Sequence, residues 1–137
     1  MRQGIQTDFP HEMLREYGCY FFALLRWAEL LRGEMFEFSD KTVLETFERC
    51  KHFGLVEDDC FIVNPVEILN FCLAKRRFTT VYKSIAMPNE GLFAMYLKKP
   101  GHGHFVLGCQ AGILWDSLDP SRPGAKDYSV DSYRVVA

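Results

Sequence analysis

The sequence predicts an α+β fold, with helices first and antiparallel strands second. Up to Arg77, apolar residues recur at spacings of three and four. After Arg77 they alternate, and the alternating stretches are separated by turn-forming Gly, Pro and Asn. With 137 residues, 48% hydrophobic and 15% aromatic, the chain is expected to form a single domain over 1–137 around a Phe-rich core.

Residues 1–10 read as an irregular or extended lead-in broken by Pro10. CYFFALLRWAELLR, Cys19 to Arg32, is apolar nearly all round its first turns and reads as a mostly buried helix stopped by Gly33. Ser39 or Asp40 caps a second helix, KTVLETFERCKHF, which puts Val43, Leu44, Phe47 and Cys50 on one face and ends at Gly54. LVEDDCFIV is a short link. Asn64-Pro65, a cap followed by a first-turn proline, opens a third helix to about Lys75. Strands are expected at Phe78–Ser84 and Leu92–Lys98, at a hairpin of His104–Gly108 with Ile113–Asp116, and at Tyr128–Val136. SLDPSRPGAKD reads as a loop.

A net charge of −2 gives no electrostatic case for nucleic acid or an anionic membrane. No apolar run reaches the roughly 18 residues of a membrane span, and the first residues lack the apolar core of a signal peptide, so a cytoplasmic location is expected. Five cysteines without a CxxC argue against a disulfide framework and a zinc knuckle. Reduced thiols, mostly core filler, are the expectation, with no cofactor and no metal.

Three residues point to chemistry. If the hairpin loop is three residues centred on Gln110, His104 lies opposite Asp116 on one face; a two-residue loop puts it opposite Ser117 and weakens the pairing. An imidazole oriented by a carboxylate can act as base for a thiol. Cys19 is the best nucleophile candidate, because a helix N-terminus favours thiolate and Gly18 allows close backbone approach. The plain alternative is a small buried Cys19, a strand-capping His104 and an Asp116 serving the turn that follows. Asp119, before Pro120, is a second candidate acid, better suited to starting a turn. His102 reads as a loop residue, and a metal site from His102, His104 and Asp116 has no ligand pattern beyond HxH. Glu57-Asp58-Asp59 reads as a solvated turn, and Lys75-Arg76-Arg77 suits the end of a helix. Tyr133 and Arg134 have no evident chemical role.

Gly18-Cys19-Tyr20-Phe21-Phe22-Ala23 resembles the start of the central helix in papain-like peptidases. His104-Phe105-Val106-Leu107 resembles the His-apolar strand of the bacteriocin-processing double-glycine peptidases, and Trp115-Asp116 resembles the strand end that supplies a third member. Over nearly its full length the chain also resembles a small family of uncharacterised spirochaete proteins, often plasmid- or prophage-borne, in this peptidase-like group; CYFF, HFV, WDS and SYRV carry that likeness. The resemblance implies a papain-like fold, with the helix that starts at Cys19 packed on a C-terminal antiparallel sheet. It implies a cysteine hydrolase of peptide or protein substrates, with Cys19 attacking, His104 shuttling the proton and Asp116 orienting the ring. Acyl transfer would use the same residues, and a non-catalytic binding or regulatory module would keep the fold. One departure concerns the Gln that such enzymes carry five or six residues before the Cys, where Leu14 and Met13 stand here. Gln3 and Gln6 lie 16 and 13 residues upstream, and only an unusual loop would return either. Loss of one oxyanion donor lowers the rate roughly 100- to 1000-fold.

Overall fold

The computed structural model describes residues 1–33 and 35–137. Four helices precede a five-stranded antiparallel sheet, so the chain is α+β. The helices are α1 (Glu12–Tyr17), α2 (Cys19–Arg32), α3 (Asp40–His52) and α4 (Pro65–Leu73); the strands are β1 (Val81–Ser84), β2 (Phe93–Lys99), β3 (His102–Cys109), β4 (Gly112–Trp115) and β5 (Ser129–Val136).

The lead-in is more ordered than its composition suggests. Ile5–Asp8 form one 3-10 turn, and α1 follows, capped by the His11 ring, which accepts from the Leu14 N–H. A histidine cap preceding a single short turn of polar and apolar residues gives no helical period to read. Gly18 both ends α1 and starts α2. Its N–H donates to the Leu14 carbonyl at 2.9 Å, and a Cβ at Gly18 would stand 2.5 Å from that same oxygen. Only glycine lets two helices meet so closely here.

α2 is the central element. Phe21 to Leu25, Trp27 and Ala28 are all buried between α4 and the sheet. Its one buried charge, Glu29, accepts from the Phe38 N–H at 2.6 Å and from Arg26 at 3.1 Å. The expected face of α3 is the buried one, with Val43, Phe47 and Cys50 inside and Leu44 half-buried. α4 stops at Leu73 because Ala74 turns left-handed at φ 57°. β1 starts three residues later than the alternation implies. Arg77 and Phe78 instead donate their N–H groups to the side-chain oxygen of the buried Asn70, and the Asn70 side-chain amide donates back to the Phe78 carbonyl.

The sheet order is β1-β5-β2-β3-β4. Phe105 and Leu107 of β3, with Ala94 and Trp115, belong to the large helix-side core. Val106 joins Phe93, Met95 and Leu97 in a second cluster on the other face. The β3–β4 loop is two residues, Gln110 and Ala111, since Cys109 pairs with Gly112. The register then shifts by one between Gly108↔Ile113 and Leu107↔Trp115. The three-residue loop that would set His104 directly opposite Asp116 is therefore absent. A bulge further along the strand adds a second one-residue shift in the same direction, which returns His104 and Asp116 to one face. No helix among the described residues is long and apolar enough to cross a membrane.

Candidate active site

β3 outruns its neighbour. The ladder with β4 ends at Leu107↔Trp115, while β3 extends back to His102. Two groups occupy the edge so exposed. The Phe105 N–H donates to the Cys19 sulfur at 3.5 Å, which sets the first residue of α2 against the β3 backbone. Asp116, one step past the last ladder pair, reaches His104 along the strand diagonal, two residues from its direct opposite. Asp116 Oδ1 and His104 Nε2 are 2.6 Å apart, and both residues are buried.

A carboxylate only accepts, so Nε2 carries the proton in that contact and Nδ1 is the ring nitrogen left free. Cys19 is also close enough to favour the protonated ring. Burial pulls the His104 pKa down, but the Asp116 bond, the nearness of Cys19 and the charges of both partners outweigh it and raise the value to about 9. Burial alone would push Asp116 up. The bond and charge of His104, the Leu118 N–H at 2.9 Å and the Arg122 guanidinium, 3.3 Å from Oδ2, hold it below the usual carboxylate range.

All three sequence candidates thus come together, by a bulge and a diagonal. Asp119 is elsewhere: its carboxylate accepts from the Ser121 N–H and hydroxyl in an exposed turn. His102 lies within β3, opposite Lys99, and is exposed; the sequence places it in a loop because glycines flank it. Among the described residues no group of three or more His, Cys, Asp or Glu could hold a metal ion. The five thiols are free. Burial raises Cys50 to about 11 and Cys60 to about 12, and moves Cys72 up further.

Sequence reasoning missed the supports of the acid. Gln6 does return to the site, but as a brace. Ser117 donates to its amide oxygen at 2.6 Å, and its amide nitrogen donates to the Arg15 carbonyl at 3.0 Å. The Gly4 and Gln6 N–H groups donate to the Asp116 and Ser117 carbonyls. Arg122, in a segment that reads only as loop, holds the free oxygen of Asp116. No local pattern announces contacts spanning 111 residues of chain.

Fold and site together define an α+β protein with a cysteine, histidine and aspartate brought together, the cysteine opening the central helix. The family described as "Protein of unknown function, DUF261" matches residues 5–137, and the chain belongs to that family. No curated protein and no solved structure matches it.

Proposed function

We propose that the protein is a papain-like cysteine hydrolase acting on a peptide or amide bond. The observation that carries this reading is the buried 2.6 Å contact between His104 and Asp116, next to a Phe105 N–H that donates to a thiol at the start of the central helix. In this mechanism Nδ1 of the protonated His104 ring holds the proton that has left Cys19, and the sulfur attacks the carbonyl carbon. The imidazolium then protonates the leaving amine, and a water deprotonated by the same ring releases the acid and the thiol. The Phe105 N–H favours negative charge on the sulfur. The Cys19 backbone N–H is one oxyanion donor at the start of the helix.

One observation favours a second reading, a papain-like binding module without turnover. The brace formed by Gln6 uses its amide in structural bonds, so the glutamine nearest in sequence to the usual donor is committed elsewhere.

Alkylation of the five cysteines by iodoacetamide, read peptide by peptide by mass spectrometry, tests the first reading. Cys19 should label at least tenfold faster than the others at pH 7 and lose that advantage in His104→Ala. Equal labelling of Cys19 and Cys109, or no effect of His104→Ala, would overturn it. A fast, His104-dependent Cys19 with no hydrolysis across a peptide library would favour the binding module.

A further inference from the structure

We propose that Arg134 sets the specificity of this site by holding a substrate carboxylate beside Cys19, on an aromatic platform of Tyr20, Phe105 and Tyr96. This inference rests on the reading of Cys19 as the nucleophile.

Phe105 connects the two ends. Its N–H meets the Cys19 sulfur, and its ring stacks on Tyr20 with centroids 3.9 Å apart and planes 10° from parallel. Tyr96 leans on the same ring at 4.6 Å. It can do so because Gly103 has no side chain: a Cβ there would collide with the Tyr96 hydroxyl. The Arg134 guanidinium lies 5.4 Å from the Phe105 centroid and 5.9 Å from that of Tyr96. Cys19, Tyr20, Tyr96, Phe105 and Arg134 are all half-buried, forming a patch between core and solvent.

Arg134 is oriented, with part of its fork open to solvent. Nη1 donates to the Ser132 hydroxyl at 2.9 Å and to the Tyr133 carbonyl at 3.3 Å. Ser132 is fully buried and donates onward to Asp131 at 2.9 Å, so the fork has a fixed direction. Among the described residues, Nη2 and Nε donate to no acceptor, and Arg134 has no carboxylate partner within ion-pair distance. The Tyr20 hydroxyl is also buried without a partner, near that positive charge. A planar, fixed guanidinium with two free donors matches a carboxylate better than a neutral group. Phe105 bridges the sulfur and the guanidinium, its N–H meeting one and its ring the other. The substrate is therefore an acidic peptide.

The test uses the thiol itself as the probe. N-(2-carboxyethyl)maleimide and its primary amide are equal in length and differ in charge; each is reacted with the full chain, and rates at Cys19 and Cys109 are read by mass spectrometry. The carboxylate reagent should be favoured at Cys19 about tenfold over its preference at Cys109. Arg134→Gln should reduce that preference to within threefold, His104 supplying the remainder, and Arg134→Lys should fall between. Circular dichroism confirms the fold of each variant. A native preference equal to that at Cys109, or one unchanged in Arg134→Gln, overturns the proposal. If Arg134→Gln does not fold, Arg134→Lys decides, and an undiminished preference there overturns it equally. The absolute rate at Cys19 and its dependence on His104 report on the nucleophile, whereas the ratio of the two reagents reports on Arg134, so the two readings fail separately.

Discussion

Raising the pH from 6 to 8.5 should destabilise this protein through one residue. Folded His104 keeps its proton to about pH 9, against 6.5 for an ordinary histidine. Between those values the folded chain binds more protons than the unfolded one, so stability is fully present below 6.5 and is lost as pH rises through 9. At about 1.4 kcal/mol per pKa unit, the gap corresponds to about 3 kcal/mol, of which about 2 kcal/mol is gone by pH 8.5. Asp116, held low, contributes above its unfolded value and is constant across this range. The window stops at 8.5 for a physical reason. Cys50 and Cys60, raised to about 11 and about 12, would add their own destabilisation once unfolded thiols begin to ionise near 9. Urea denaturation at pH 6 and 8.5 reads the effect, with His104→Gln as reference. Native stability should fall by about 2 kcal/mol relative to that variant. Equal pH slopes in the two proteins would show that His104 does not hold its proton, and the reasoning from its partners would fail.

Two further changes test the supports of the site. Ser117→Ala removes the donor to a buried Gln6 oxygen and should cost about 1–3 kcal/mol in urea denaturation, with Cys19 alkylation slowed as Asp116 loosens; a cost under about 0.5 kcal/mol would mean the brace is incidental. Gly18→Ala forces a methyl group against the Leu14 carbonyl and should cost about 1–3 kcal/mol in the same assay while displacing Cys19. An unchanged Cys19 alkylation rate in Gly18→Ala would show that the helix junction does not position the thiol.

Much of this was legible because it was local. The period of α3, the Asn64-Pro65 start of α4 and the glycine before Cys19 act within a few residues, and physical rules at that range are strong. The strand boundaries were less so. Asn70 diverts Arg77 and Phe78 from β1 through side-chain bonds eight residues long in sequence, which alternation cannot register. The pairing of His104 with Asp116 was reached from an idealised hairpin. The true geometry combines a shorter loop with a bulge, each shifting the register by one in the same direction, so the pair returns to one face but on a diagonal. The brace from Gln6 and the hold by Arg122 depend on where distant segments dock, so neither residue type nor spacing could disclose them.

The completeness of those bonds constrains what Asp116 can do in the proposed mechanism. Oδ1 accepts from His104 and the Leu118 N–H, and Oδ2 faces Arg122. Protonating the carboxylate would forfeit acceptor capacity beside a guanidinium, which is why it stays ionised well below neutral pH. It therefore does not take the proton from the imidazole. Its role is to hold the tautomer that leaves Nδ1 free and to favour the imidazolium once the thiol proton has moved. Asp116→Asn would keep the size of the side chain but remove the charge that favours the protonated ring, so His104 would no longer hold the thiol proton. The predicted consequence is loss of the His104-dependent reactivity of Cys19 with the fold retained. A variant as reactive as the native chain would place the orienting role outside Asp116.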